Sequence, residues 1–130
     1  MINKNEISIE RQKIIDSTYP SRIVKGRQRK HIKGTKEFKQ NRAKMQELSS
    51  GSEPAILLAD AEELMNKYKG TGEIILTTKS LYPMEIIDAD YVIGKTWVQS
   101  LQKYVETKRF RIVYSANGVH IIPVSDYERR

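Results

Sequence analysis

The pattern of apolar and polar positions changes character near Gly72. Before it, apolar side chains recur at three- and four-residue steps, which is typical of amphipathic helices. The clearest such stripe lies in residues 57–69, and a sparser one predicts a helix over Lys36–Leu48 with Thr35 as its N-cap. After Gly72 short runs rich in β-branched and aromatic residues predict strands, so we expect an α+β fold with N-terminal helices packed on a C-terminal antiparallel β-sheet. The predicted strands are 73–78, 84–87, 91–93, 110–115 and 119–124.

Residues 96–106 fit two interpretations. Trp97, Leu101, Tyr104 and Val105 would share one face of a helix. Tryptophan, tyrosine, valine and threonine are also common in strands. On periodicity we predict a helix here.

A hairpin is predicted at the end of the chain, because Asn117-Gly118 is a strong signal for a two-residue type I′ turn. With that turn, Ser115 would face His120 across the two strands, and a turn centred on Ala116 would change the register and the division of faces. Alternation predicts a buried face of Phe110, Ile112, Tyr114, Ile121 and Pro123, and an open face of Arg111, Val113, Ser115, His120, Ile122 and Val124.

The composition predicts one soluble domain. The chain has 130 residues, no cysteine and no apolar run long enough for a membrane span or an export signal. We therefore expect a cytoplasmic protein with no membrane partner. No histidine–carboxylate spacing suits a metal, so we predict no metal and no cofactor. We divide the chain into a polar leader or arm (1–27), the main domain (28–125) and a charged tail (126–130).

Positive charge is concentrated in one segment. Residues 25–46 contain nine lysines and arginines against Glu37 alone, whereas residues 47–90 contain nine acidic and three basic side chains. Such a segment either is a solvated surface or binds phosphates, and its separation from the acidic middle favours the second interpretation.

The two histidines, His31 and His120, lie in the chemically richest stretches of the two halves of the chain. Histidine can both accept and donate a proton near neutral pH. Two of them facing one cleft of a basic protein would suffice for general acid–base cleavage of RNA without a metal. The alternative is one surface histidine and one strand histidine without chemistry.

A series of motifs carries a family resemblance. In order they are Arg29-Lys30-His31-Ile32-Lys33-Gly34-Thr35, Asp60-Ala61-Glu62-Glu63-Leu64, Gly70-Thr71-Gly72, Ile93-Gly94, Thr107 and Tyr114-Ser115-x-x-Gly118-Val119-His120-Ile121-Ile122-Pro123. From about residue 28 to residue 124 this set resembles the polymorphic toxin type 50 domain. The resemblance implies a ribonuclease toxin with the fold of the barnase–EndoU–colicin–RelE superfamily, a domain also found on phage minor head proteins. Ala116 departs from the family, whose members commonly have lysine or another polar residue there.

The resulting hypothesis is a metal-independent endoribonuclease, in which a ribose 2′-OH attacks its own phosphate and leaves a 2′,3′-cyclic end. Its partners would be RNA and an acidic immunity or inhibitor protein, in the cytoplasm of a bacterial host or target cell. The catalytic candidates are His31, His120, Lys33, Thr35 and Ser115, and the candidates for binding flanking phosphates are Arg29, Lys30, Lys36 and Arg111.

Two functions without catalysis remain open at this point. One is a structural protein associated with the phage virion, which would contact phage head proteins and packaged nucleic acid. The other is a nucleic-acid-binding regulator that keeps the fold.

Overall fold

Helices and two antiparallel sheets make up the fold in a computed structural model, which describes residues 20–48, 51–76 and 82–126. The α+β class is therefore confirmed. No helix in these ranges is long and apolar enough to cross a membrane. The helices are α1 (Lys25–Gln28), continued by a 3-10 turn (Arg29–His31), α2 (Lys36–Leu48) and α3 (Ala61–Tyr68). The strands are β1 (Ile56–Leu57), β2 (Glu73–Ile75), β3 (Met84–Asp88), β4 (Gly94–Val98), β5 (Lys103–Thr107), β6 (Arg109–Ser115) and β7 (Gly118–Pro123).

The larger sheet has the order β2-β3-β6-β7 and the smaller one the order β1-β4-β5. One face of the β6–β7 hairpin packs against α3, whose Leu64 and Met65 are buried with the hairpin side chains. Tyr68, also on α3, meets the Phe110 ring edge to face at 5.7 Å. Burial of these apolar side chains is the main driving force for the packing of helix on sheet. The hairpin side chains in this core are Phe110, Ile112, Tyr114, Val119 and Ile121.

Buried Glu85 closes the connection between α3 and β2. Its carboxylate accepts hydrogen bonds from the backbone N–H groups of Gly70 and Gly72 and from the Tyr114 hydroxyl, at 2.6–3.0 Å. A buried carboxylate with three donors is stabilised where it lies. Gly70 has a φ of 87°, as expected for the left-handed residue that follows a helix.

The helix predicted for residues 96–106 is wrong. These residues form most of β4 and β5, which pair in register with Thr96 opposite Val105 and Trp97 opposite Tyr104. The Trp97 and Tyr104 rings meet edge to face with centroids 5.3 Å apart. Cross-strand packing of aromatic and β-branched side chains thus prevails over the helical spacing.

Two other boundaries differ from the prediction. Residues 91–93 form a loop, and the strand begins only at Gly94. Helix α3 is shorter than its apolar stripe because Asp60 caps it, its carboxylate accepting a hydrogen bond from Glu63 N at 3.0 Å. The predicted N-cap of α2 is confirmed, since the Thr35 hydroxyl accepts a hydrogen bond from Phe38 N. Residues 1–19 of the predicted leader, residues 77 and 78 of a predicted strand and residues 127–130 of the tail lie outside the described residues.

The hairpin turn lies one residue earlier than predicted. Ser115 pairs with Gly118, so Ala116 and Asn117 form the loop, and His120 is opposite Val113 instead of Ser115. The expectation that such a change would alter the faces is also wrong. Moving the turn centre by one residue shifts every partner by two, which leaves each side chain on its own face. Burial agrees with the predicted division into two faces, because buried and half-buried residues alternate along β6 and β7. The exceptions are Ser115 and Gly118, which lie on the open face and are nevertheless buried.

The position of this turn is explained by the edge of β7 that does not pair with β6. Val119 N–H donates to the Arg22 carbonyl at 2.7 Å and its carbonyl accepts from Val24 N at 2.8 Å, so residues 22–24 run alongside the strand. This approach is close enough that a Cβ on Gly118 would lie 2.3 Å from the Arg22 carbonyl oxygen. Gly118 is therefore required as the first residue of the strand, with a φ of 136°. The last residues of the predicted leader thus pair with the sheet.

We expect Gly118→Ala to lower the free energy of unfolding by about 1–3 kcal/mol or more, because its Cβ would force residues 22–24 away from β7. Gly26→Ala is the matched control, since a Cβ there has no atom within 4 Å. Urea denaturation of both variants measures the difference. Equal stability of the two variants would contradict this account of the edge.

Candidate active site

The position of His31 is set by a neighbouring side chain, the buried Gln28. Its amide donates to the Ile121 carbonyl at 2.8 Å and accepts from Ile121 N at 2.6 Å. This pair of bonds continues the edge pairing of β7 beyond Val119 and fixes α1 against the strand. His31 follows Gln28 by three residues at the end of the 3-10 turn, and is thereby held near the same strand.

A backbone carbonyl fixes the tautomer of His31. The imidazole Nδ1 lies 3.1 Å from the Ala55 carbonyl oxygen, just before β1. Because a carbonyl only accepts, Nδ1 carries the proton in both the neutral and the charged ring. The Nε2 atom of His31 is therefore the nitrogen that can accept or release a proton.

His120 lies on the open face of the hairpin, directly opposite Val113. Its Nδ1 atom is buried and has no hydrogen-bond partner in the part of the chain that the structure describes. The same is true of Nε of Arg111, which lies on the same face two pairs along the ladder. Two unpaired buried nitrogens on one face are costly in the free protein, and a bound anion would satisfy the guanidinium.

The electrostatics of the two histidines are linked. Burial lowers the pKa of His120 to about 4, and positive charge on His31, Arg27, Arg111 and Lys30 contributes to that shift. Burial also lowers the pKa of His31, as do Arg111 and Lys30, while the hydrogen bond to Ala55 opposes the shift. The two imidazoles therefore share one electrostatic neighbourhood, and in each of them the neutral form is favoured.

The basic residues of the sequence divide into two groups. Arg27, Lys30 and Arg111 act on the histidines, whereas neither Lys33 nor Lys36 contributes to the pKa shift of either ring. Arg29 forms an ion pair with Glu37 at 3.0 Å instead. The cationic neighbourhood of the histidines is thus supplied by α1, its 3-10 turn and strand β6.

The two candidate hydroxyls make structural hydrogen bonds. That of Thr35 caps α2 and lies 2.7 and 2.9 Å from the Arg29 and Ile32 carbonyl oxygens, to which it donates. That of buried Ser115 donates to the Gly118 carbonyl at 2.8 Å within the turn. In the observed register Ser115 cannot orient the His120 ring as predicted.

Sequence reasoning missed Arg27 and Gln28. Both precede the motif from which the candidates were chosen. A helical reading of residues 25–31 would have found Arg27, since the spacing of Arg27, Lys30 and His31 places them on one helical face. No local signal marks the Gln28 side chain as the partner of a strand 93 residues away.

A search for metal-binding groups found no cluster of three or more His, Cys, Asp or Glu side chains among residues 20–48, 51–76 and 82–126.

Comparison with known families gives one match. A family model described as bacterial toxin 50 (Ntox50) matches residues 23–123, more than three-quarters of the chain. This match confirms the resemblance seen in the motifs, and it begins at Ile23, the residue that pairs with Val119. Searches of curated proteins and of solved structures found no significant match.

We expect the free energy of unfolding to fall as the pH is lowered from about 6.5 to about 4. In that window the unfolded chain binds a proton at His120 that the folded protein excludes, so protonation favours unfolding. His120→Gln removes this titration while keeping a polar side chain. Its stability should decline less steeply than that of the parent in urea denaturation between pH 7 and pH 4. Parallel pH profiles would show that His120 is not protected from protonation.

Proposed function

Because the chain belongs to the bacterial toxin 50 family, and because two histidines share a cationic neighbourhood, we propose that it is a metal-independent endoribonuclease. The observation that carries this proposal is the electrostatic link between His31 and His120, together with Arg111 and Lys30. A proton acceptor, a proton donor and cations for a phosphate are the groups that transesterification of RNA requires.

In the proposed reaction His120 is the base. It is neutral in the free protein, since its pKa is about 4, and it accepts the proton of the ribose 2′-OH. The 2′ oxygen attacks the adjacent phosphorus, the bond from phosphorus to the 5′ oxygen breaks, and a 2′,3′-cyclic phosphate results. Arg111 is the nearest candidate for stabilising charge on the phosphorane, because its buried Nε lacks a partner among the described residues.

His31 is the proposed acid. The Ala55 carbonyl accepts from its Nδ1 in the charged as well as the neutral ring, and this hydrogen bond stabilises the imidazolium. Nε2 then gives its proton to the leaving 5′ oxygen. A bound phosphate would raise the pKa of both rings, since its negative charge favours their protonated forms.

Affinity for RNA is assigned to the exposed cations. Arg27 and Lys30 lie beside the histidines, and we keep Arg29, Lys33 and Lys36 as contacts to phosphates further along the strand. The same basic surface suits an acidic immunity or inhibitor protein. The proposed place of action is the cytoplasm of a bacterial host or target cell, where the RNA is.

The test is incubation of the purified protein with total bacterial RNA in EDTA, followed by analysis of the new ends. We expect cleavage with 2′,3′-cyclic phosphates. Intact RNA at high protein concentration, with salt-sensitive binding to DNA and RNA alike, would instead support the virion-associated or regulatory function.

Removing the base should separate catalysis from binding. We expect His120→Ala to reduce cleavage by roughly 10²–10⁴-fold and to change RNA affinity little, because phosphate contacts come mainly from lysines and arginines. Arg27→Ala with Lys30→Ala should weaken binding and reduce the slope of log K against log salt by about two charges. Lys103→Ala is the control, since this exposed lysine affects neither histidine. A loss of binding in His120→Ala equal to its loss of cleavage would argue against a catalytic role.

The assignment of base and acid predicts an acidic optimum. Because the base His120 has a pKa of about 4, kcat/KM should increase as the pH is raised through 4. Because the pKa of the acid His31 is below 6.5, kcat/KM should decrease again before the pH reaches 6.5. The profile is measured on a dinucleotide substrate. An activity that only increases through neutral pH would contradict the requirement for a protonated histidine of lowered pKa.

A further inference from the structure

A cavity of about 260 Å³ is lined in part by the residues that follow the two ends of the His31 hydrogen bond. These are Ile32, which follows His31, and Ile56, which follows Ala55. The cavity therefore shares its chain segments with the proposed acid. The cavity is lined by Ile32, Lys33, Ile56, Leu57, Leu58, Lys95 and Tyr104.

About half of the cavity wall is apolar, and one of its side chains is aromatic. The Tyr104 hydroxyl donates to the Pro54 carbonyl at 2.9 Å and its ring packs on Trp97, so the ring is held in place. Ile32 and Leu58 are 38% and 57% exposed, large values for apolar side chains beside a concave surface. A fixed ring with aliphatic neighbours suits the flat apolar surface of a nucleobase.

Two lysines give the cavity its charge. Lys33 and Lys95 line it, and neither forms an ion pair with any residue that the structure describes. Glu106 is opposite Lys95 on β5, but the two side chains are not bonded. Free ammonium groups next to an apolar cavity complement a ligand that is flat and apolar at one end and anionic at the other.

A second cavity, of about 220 Å³, serves as a comparison. It shares Ile32 with the first cavity and has similar size, but its cations, Lys25 and Arg29, are accompanied by the carboxylates of Asp60 and Glu62. Carboxylates repel a phosphate, so a nucleotide is expected to prefer the cavity whose charged lining residues are lysines alone.

We propose that the lysine-lined cavity binds the base of a nucleotide adjacent to the scissile phosphate. Lys33 and Lys95 contact the phosphates of that nucleotide, and Tyr104 and Leu58 contact its base. This inference rests on the ribonuclease activity proposed above and adds to it a subsite for the RNA strand. It also gives Lys33 a role at a distance from the histidines.

Binding of small ligands tests the subsite without any cleavage. The probes are 3′-UMP, 3′-AMP and inorganic phosphate, titrated against the whole protein by calorimetry. We expect Leu58→Ser and, separately, Ile32→Ser to weaken the binding of both nucleotides by about 5- to 10-fold, because each substitution removes apolar contact with the base. Binding of inorganic phosphate should not change. Leu101→Ser is the matched control, since Leu101 is 41% exposed and does not line the cavity.

The outcomes separate the two proposals. Nucleotide binding that is equal in the parent, the two cavity variants and the control would overturn the subsite, whether or not RNA is cleaved. Cleavage that persists with an unchanged KM in the cavity variants would overturn it as well and leave the ribonuclease intact. Selective loss of nucleotide binding in a protein that leaves RNA uncut would support the subsite as a binding site and overturn the proposed activity.

Discussion

The fold and the candidate site both depend on the hydrogen bonds between the Gln28 side chain and the backbone of Ile121. Strand β7 pairs with β6 on one side only, and its other edge would otherwise expose the N–H and C=O groups of alternate residues. Residues 22–24 satisfy those of Val119, the Gln28 amide satisfies those of Ile121, and Pro123 has no N–H to satisfy. Because an amide carries a donor and an acceptor, one buried side chain replaces a strand residue here. Without it, two backbone groups would lose their partners and α1 would lose its attachment.

This attachment has an electrostatic consequence. It brings the cations Arg27 and Lys30 of the N-terminal segment toward a strand that already has Arg111 and His120 next to it. Burial lowers the pKa of His120, and the like charges of this partly buried region lower it further. The same arrangement favours a phosphate, which would neutralise the cations and meet the unpaired Nε of Arg111. The groups without partners among the described residues are thus the ones that the proposed function assigns to an anionic ligand.

Local pattern was sufficient for some features of the fold and insufficient for others. The two longer helices, the strands of the larger sheet, the cap at Thr35 and the two faces of the hairpin depend on neighbours within a few residues, and each could be predicted. The register of the hairpin depends on Arg22, whose carbonyl oxygen approaches Gly118 from a distant part of the chain. The strands β4 and β5 depend on ring packing between Trp97 and Tyr104. Helical spacing of the same side chains could not reveal a contact that exists only after pairing.

The same distinction between local pattern and distant contacts applies to the candidate site. The two histidines could be chosen by their chemistry, since histidine is rare in this chain and suits proton transfer near neutral pH. Threonine and serine near glycine are more often caps and turn residues, and in the structure Thr35 and Ser115 make such bonds. Proximity in sequence also selected Lys33, whereas the lysine whose charge lowers the pKa of both histidines is Lys30. The helical turn places Arg27 and Lys30 on the same side as His31, and the chain leaves that turn before Lys33. The segment that attaches to β7 is therefore also the one that holds His31, and the family match includes it from Ile23 onward.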